Sequence, residues 1–192
     1  MAGRIAGRSA AGCAMHDLTR LPNRLDPKTA TCRAVIETPK GRRSKFDYDP
    51  KSGLFRLKTL LPDGMSFPLD FGFVPSTLCD DGDPIDIMVL VDESSPVGAL
   101  LDVRLIGVIE AEEVEKGKRE RNDRLLAVTT VSHLYGAVRE VGDLEASFIA
   151  NLNQFWVQKD ALEGKRFTVL AVGDAQRAVK LVRQAGRAAA KA

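Results

Sequence analysis

The spacing of hydrophobic and polar residues is strand-like through most of the chain. Between residues 32 and 61, short apolar runs alternate with turns that contain Gly or Pro, as in CRAVIET, KFDYD and LFRLKTLL. The segments IDIMVLV, VRLIGVIEAEE and RLLAVTTV predict further strands, and the first is apolar enough to be buried on both faces. Before them, SFPLDFGFVPSTL predicts an irregular, tightly packed wall, and the charged residues 110–124 predict an exposed loop or hairpin tip.

The period becomes helical after Asp143, which is predicted to be the N-cap of a helix. The apolar positions of that helix are Leu144, Phe148, Leu152, Phe155 and Trp156. A strand, RFTVLAV, and a last helix beginning at Asp174 follow. Strands first and helices later predict an α+β architecture, in which helices pack against a β-rich barrel or sheet.

Length and composition predict one globular domain. The 192 residues are 44% hydrophobic, which is enough for a buried core. We assign residues 1–28 to a flexible N-terminal extension and residues 29–192 to the domain. The first sixteen residues are small, contain no acid and include Arg4 and Arg8, which is typical of a disordered start or of a transit peptide.

Charge and reactive side chains restrict the partners and the metal. A net charge of +2 gives no reason to expect a nucleic-acid or membrane partner, and no apolar run has the length of a membrane span. Three cysteines without C-x-x-C spacing argue against a disulfide framework and favour a reducing, cytoplasmic setting. With only two histidines, we expect any metal to be hard and bound by oxygen.

An acidic turn precedes the buried strand IDIMVLV. Asp80, Asp81, Asp83 and Asp86 place four carboxylates within seven residues, and Gly82 and Pro84 bend the chain between them. Carboxylates held this close repel one another unless a cation lies between them, and Mg²⁺ needs few protein carboxylates because water and phosphate oxygens complete its shell. An exposed acidic turn without a ligand and an Asp-x-Asp metal site of the glycosyltransferase kind stay open. An EF-hand is disfavoured, because its glycine and twelfth-position glutamate do not fall at the required offsets.

The motif D-G-D-P-I-D at residues 81–86 resembles the signature of the family I soluble inorganic pyrophosphatases. Six segments resemble family segments in the family's order over residues 34–172: AVIETPKG, SKFDYDPKSGLFRL, FPLDFGFVPSTL, DGDPIDIMVLV, RLIGVIEAEE and RNDRLLAV. The resemblance implies a small closed, OB-like β-barrel flanked by two C-terminal helices. It also implies a homo-oligomer, a hexamer in bacterial relatives, that hydrolyses pyrophosphate to two phosphates.

The resemblance implies roles for individual residues. Asp81 and Asp86 correspond to metal ligands, with Asn122 in the place of a family aspartate, and the implied cofactor is Mg²⁺, with Mn²⁺ or Co²⁺ as alternatives. Asp83 corresponds to the carboxylate that deprotonates the attacking water. Substrate-binding residues, by the same resemblance, are Glu37, Lys45 and Arg124; Lys45 pairs with a phosphate, and Arg124 stands where the family usually has lysine.

Several substitutions affect phosphate binding and leave a second function open. Phe67 and Phe71 replace two family tyrosines, Thr59 replaces an arginine, and Lys159 and Asp160 replace a Tyr-Lys pair. Each lost hydrogen bond to a charged phosphate costs about 1.5–3 kcal/mol. The alternative to an active enzyme is therefore a non-catalytic binding or regulatory subunit.

Overall fold

A computed structural model describes residues 17–192, which form nine β-strands and two α-helices. The strands are β1 (Thr31–Thr38), β2 (Ser44–Asp49), β3 (Leu54–Leu60), β4 (Asp70–Phe73), β5 (Asp86–Leu90), β6 (Leu100–Glu115), β7 (Lys118–Arg121), β8 (Arg124–Thr129) and β9 (Arg166–Asp174). The helices are α1 (Ala146–Leu162) and α2 (Ala175–Ala189). None of the helices in this part of the chain is long and apolar enough to cross a membrane.

Five strands close into a ring. The order is β1-β4-β5-β8-β6, and β6 pairs again with β1. All neighbours in the ring are antiparallel except β5 and β8, which are parallel. The long strand β6 continues past the ring, where it pairs with β7 and β9, and β2 and β3 form a separate hairpin. The predicted β-barrel with two C-terminal helices is confirmed.

Two hydrophobic cores explain the continuous apolar sequence of β5. Ile87 and Val89 belong to a core that includes the inner face of α2, whereas Met88 and Leu90 belong to a core that includes Trp156 of α1. Because successive strand residues point to opposite faces, a strand between two cores must be apolar at every position. The prediction of a strand buried on both sides is confirmed.

Residues 17–28 differ from the predicted flexible extension. The backbone N–H of Leu18 donates to the Tyr48 hydroxyl (3.1 Å), and the Ser76 hydroxyl donates to the Leu21 carbonyl (2.8 Å). Leu18 and Leu21 also pack against a small core of Val35, Tyr48 and Phe73. These residues are therefore attached to the domain, and residues 1–16 of the predicted extension lie outside the described residues.

Two local predictions are wrong. Residues 70–73 of the expected irregular wall form strand β4, and Gly72 allows this strand to approach β1, since a Cβ there would lie 1.9 Å from the Val35 carbonyl oxygen.

Helix α1 begins at Ala146, not after Asp143. The Asp143 carboxylate instead accepts hydrogen bonds from the backbone N–H groups of Arg139 (2.7 Å) and Glu140 (3.0 Å), in a short 3-10 turn. The predicted N-cap of α2 is confirmed, because Asp174 accepts from the Arg177 N–H.

Candidate active site

One cleft of about 590 Å³ brings together residues that lie between Thr19 and Lys165 in the sequence. Its walls are the β2–β3 hairpin, the acidic turn before β5, the β6–β7 hairpin, the start of β8 and the C-terminal end of α1. The cleft contains every site residue predicted from the sequence, namely Glu37, Lys45, Asp81, Asp83, Asp86, Asn122 and Arg124.

The acidic turn is held by its own backbone. The Cys79 N–H donates to the Asp83 carbonyl (2.8 Å), and the Gly82 N–H donates to the Cys79 carbonyl (3.1 Å). Gly82 has a φ of +91°, a conformation that side chains with a Cβ rarely adopt. The Asp81 carboxylate accepts from the Asp83 N–H (3.0 Å), and both acids line the mouth of the cleft.

Asp86 lies deeper in the cleft, beside Arg124. Residues 86 and 124 are direct partners in the parallel β5–β8 pair, and Arg124 Nε is 3.8 Å from Asp86 Oδ2. Burial raises the pKa of Asp86 to about 6, although the charges of Arg124 and Lys45 act in the opposite direction. Desolvation and the charge of Asp83 also raise the pKa of Asp81. Positive charge brought into the cleft would favour the ionised form of both carboxylates.

Glu37 and Lys45 lie on the side of the cleft formed by β1 and β2. Glu37 accepts a hydrogen bond from the Tyr48 N–H (2.6 Å), and burial raises its pKa to about 7. The Lys45 ammonium pairs with the Asp47 carboxylate, which also pairs with Lys58. Lys58 also lines the cleft, next to Thr59, which stands in the place of an arginine implied by the family resemblance.

Arg124 is almost completely buried, and part of its guanidinium lacks hydrogen-bond partners. The residue is 3% exposed, and its guanidinium carbon lies 3.8 Å from the ring centroid of Trp156 and 4.4 Å from that of Phe167. Within residues 17–192, its Nε and Nη1 atoms have no hydrogen-bond partner. Buried polar groups normally have such partners, so these two nitrogens are free to donate to an acceptor in the cleft.

Asn122 and Asp123 point in different directions. The Asn122 side-chain N–H donates to Glu113 Oε2 (3.3 Å) at the edge of the cleft, and Lys165 donates to Glu113 Oε1 (2.7 Å). Asp123 accepts from the backbone N–H of Ala111 (3.0 Å) and does not line the cleft.

The substituted positions do not all face the cleft. Thr59, Phe71 and Lys159 line it, whereas Phe67 is buried against Phe71, Phe155 and Trp156, and Asp160 is buried behind the wall. Sequence reasoning missed the cleft residues Glu163 and Lys165. They follow α1 in an ordinary charged turn, where the sequence pattern does not distinguish them from solvated surface.

The oxygen atoms of the cleft suit a metal ion that takes only some of its ligands from the protein. Across residues 17–192, no three His, Cys, Asp or Glu side chains come close enough together to hold a metal ion by themselves. Mg²⁺ typically takes one or two carboxylates and completes its octahedral shell with water and substrate phosphate. Asp81, Asp86 and Asn122, the ligands predicted from the sequence, line one cleft and have oxygen atoms of this kind.

A closed barrel with two helices, and an acidic cleft that also holds a buried arginine, suit an enzyme that acts on phosphate compounds with the help of a metal. A family model described as inorganic pyrophosphatase matches residues 34–190. The chain is 31% identical over 168 residues to the inorganic pyrophosphatase of Synechocystis, covering 88% of this chain and 96% of the relative. It is 32% identical over 158 residues to that of Halalkalibacterium halodurans, covering 82% and 93% of the two chains.

A solved structure shows the same architecture. The crystal structure of inorganic pyrophosphatase from Thermus thermophilus superposes with a TM-score of 0.82 at 28% identity, over 91% of this chain and 99% of that one. The chain belongs to the inorganic pyrophosphatase family, whose members are diphosphatases. The predicted family, fold and class of enzyme are confirmed.

Proposed function

We propose that this protein hydrolyses inorganic pyrophosphate to two phosphates in a cleft that requires a divalent metal, Mg²⁺ in the first place. The observation that carries this proposal is the convergence of the acidic turn, Lys45 and Arg124 on one cleft. Family membership alone does not show that a chain with substituted phosphate-binding positions retains the groups that the reaction needs.

The charge of the cleft explains why metal is required. Nine carboxylate and six cationic side chains line it, which gives a formal charge of −3 when all are ionised. Pyrophosphate is itself a multiple anion, so the protein alone would repel it. Divalent cations at Asp81 and Asp86 would reverse this repulsion and provide the remaining attraction for phosphate oxygens.

The side chains can be given roles in hydrolysis. When bound, the metal neutralises charge on the substrate and lowers the pKa of water. Asp83 takes a proton from the water whose oxygen attacks phosphorus, while the bond from phosphorus to the bridging oxygen breaks. Lys45 and Arg124 stabilise the charge on the transferring and leaving phosphate oxygens. Asp81, Asp86 and Asn122 would hold the metal.

A release assay tests the proposal. Phosphate production from pyrophosphate should be measured with Mg²⁺, Mn²⁺ or Co²⁺ and with excess chelator, on protein whose folding is checked by its thermal transition. We expect hydrolysis with added metal and none with chelator. Hydrolysis that continues in chelator, or none with any of the three metals, contradicts the proposal.

A second candidate function is supported by the hydroxyls lost at Phe67 and Phe71. A non-catalytic binding or regulatory subunit would retain the cleft and the surface but not the reaction. Binding of a non-hydrolysable diphosphate in the presence of metal, without phosphate release from pyrophosphate, would favour that function. Phosphate release that depends on Asp83 excludes it.

Self-association is also proposed. Strand β3 exposes Leu54, Leu57 and Leu60, each more than half accessible, on one hairpin. Exposed apolar side chains concentrated in this way favour an interface, and a homo-hexamer is the arrangement implied by the family resemblance. Light scattering after size exclusion measures it directly, and a monomer at micromolar concentration contradicts it. Within residues 17–192, Cys32 and Cys79 form no disulfide, and we propose a reducing, cytoplasmic setting.

A further inference from the structure

Two arginines from different elements meet at the carboxylate of Glu110, outside the cleft. Arg177, in the first turn of α2, donates through Nε to Glu110 Oε1 (2.8 Å) and through Nη2 to Glu110 Oε2 (2.7 Å). Arg121, the last residue of β7, also donates through Nη2 to Glu110 Oε2. We call these three residues, together with Asp123, the clamp. Paired N–H···O bonds between a guanidinium and a carboxylate fix the orientation of both groups as well as their distance.

The clamp also holds Asp123. Arg121 Nε donates to Asp123 Oδ1 (2.7 Å), and the same oxygen accepts the backbone N–H of Ala111 (3.0 Å). The side chains of Glu110 and Asp123 are only 14% and 9% exposed, so these ion pairs are screened by solvent less than pairs on the open surface. The clamp therefore connects β6 and α2 to the segment between β7 and β8.

Asn122 lies between Arg121 and Asp123, at a point where the chain has left β7 and has not yet entered β8. Its backbone N–H donates to the Ala111 carbonyl (2.9 Å). Its side chain lines the cleft, where the amide N–H donates to Glu113 Oε2 (3.3 Å). Since the amide nitrogen can only donate, the side-chain oxygen of Asn122 is the atom left for a metal.

We propose that Glu110 and Arg177 are positioning residues, which hold the side-chain oxygen of Asn122 in place for the metal. They do so by fixing Arg121 and Asp123 on either side of it. Neither Glu110 nor Arg177 lines the cleft, so both act through this segment and not by contact with metal or substrate. The inference rests on the proposed function in one respect, the role of Asn122 as a metal ligand.

Direct metal binding tests the inference without hydrolysis. The Mn²⁺ affinity of the full chain should be measured without substrate, from the electron paramagnetic resonance signal of free Mn²⁺. The proteins to compare are wild type, Arg177→Met, Asn122→Ala, the double variant of these two, and the control Arg183→Met, which changes an exposed arginine of the same helix.

We expect Arg177→Met to weaken Mn²⁺ binding roughly 10-fold, the lower end of the effect seen when a residue that orients a metal ligand is replaced. Loss of a positive charge would by itself favour cation binding, so a weaker affinity reports the position of the ligand and not the charge. Asn122→Ala should weaken binding at least as much. Arg177→Met should add nothing to Asn122→Ala, because both changes remove the same ligand, and Arg183→Met should leave the affinity unchanged.

Unchanged or tighter Mn²⁺ binding by Arg177→Met, or losses that add in the double variant, would overturn the inference. Should Arg177→Met not fold, Arg177→Lys keeps the charge but loses the paired contact, so binding should weaken about two- to fivefold, and unchanged binding would again overturn the inference. A wild type that hydrolyses pyrophosphate, together with an Asn122→Ala protein of normal Mn²⁺ affinity, overturns this inference alone. A wild type that shows the expected metal binding without hydrolysis overturns only the proposed function, and one that binds no Mn²⁺ overturns both.

Discussion

Replacement of Asp83 by asparagine distinguishes a general base from a metal ligand. The hydrogen bonds that hold residue 83 in the acidic turn are made by its backbone, to the Asp81 carboxylate and the Cys79 N–H. The Asp83→Asn variant would keep both, since the substitution leaves the main chain unchanged. Because the side chain is exposed, we expect the free energy of unfolding to change by no more than about 0.5 kcal/mol.

The expected kinetic effect is much larger than the effect on stability. General base catalysis contributes roughly 10²–10⁴-fold, so loss of the proton acceptor should lower kcat by about 10²-fold or more at neutral pH, which is about 2.7 kcal/mol of transition-state stabilisation. Higher pH should restore part of the rate, since hydroxide then replaces the deprotonated water. The assay is phosphate release at saturating substrate, repeated over a series of Mg²⁺ concentrations.

Metal dependence provides the control. Asp81→Asn and Asp86→Asn remove proposed ligands, so saturating Mg²⁺ should recover much of their rate, whereas Asp83→Asn should not recover. Near-normal activity of Asp83→Asn would refute the assignment of the base. Full rescue of Asp83→Asn by metal would show that Asp83 is chiefly a ligand.

Two other predictions concern stability. Glu37 and Asp86 have raised pKa values, about 7 and about 6, so at these two groups the folded protein binds more protons than the unfolded chain between about pH 4 and 7. Without metal, their contribution to the free energy of unfolding should therefore fall as pH rises, by at most about 1.4 kcal/mol per pH unit for each group. Glu37→Gln should flatten this dependence in thermal melts with chelator, and an unchanged slope would contradict it. Deletion of residues 1–16 should leave the melting temperature nearly unchanged. Deletion of residues 1–22 should lower it by about 4–8 °C, because the packing and hydrogen bonding of Leu18 and Leu21, worth about 2 kcal/mol, would be lost. Equal melting temperatures for the two deletions would show that residues 17–22 contribute no stability.

The sequence predicted those parts of the structure that local patterns determine. The apolar run of β5, the N-cap of α2 at Asp174 and the convergence of carboxylates at the acidic turn each depend on residues close together in the chain. The order of the family-like segments then predicted the barrel. Such features are encoded by spacing and turn chemistry, which are visible without coordinates.

The missed features depend on distant contacts. Strand β4 exists because Gly72 lets the chain pass within contact of the β1 backbone, and this approach is not visible in a segment that contains aromatics and prolines. Likewise, Asp143 carries an N-cap signal, but its carboxylate is already used by the 3-10 turn before α1. In both cases a contact with another segment determines which of two locally possible conformations forms.

The cleft also shows why a residue-by-residue comparison with the family underestimates this chain. Such a comparison counts Asp160 as a lost lysine and Phe67 as a lost hydroxyl. In the structure, Phe67 is part of the aromatic cluster around Trp156, on which Arg124 lies, and Asp160 holds the ammonium of Lys159. Positive charge in the cleft is nevertheless provided by several side chains, among them Lys45, Lys58, Arg124, Lys159 and Lys165. Since phosphate responds to the position of charge and donors, not to which residue carries them, substitution at Thr59, Phe67 and Phe71 leaves a cleft whose cationic side chains can still attract phosphate.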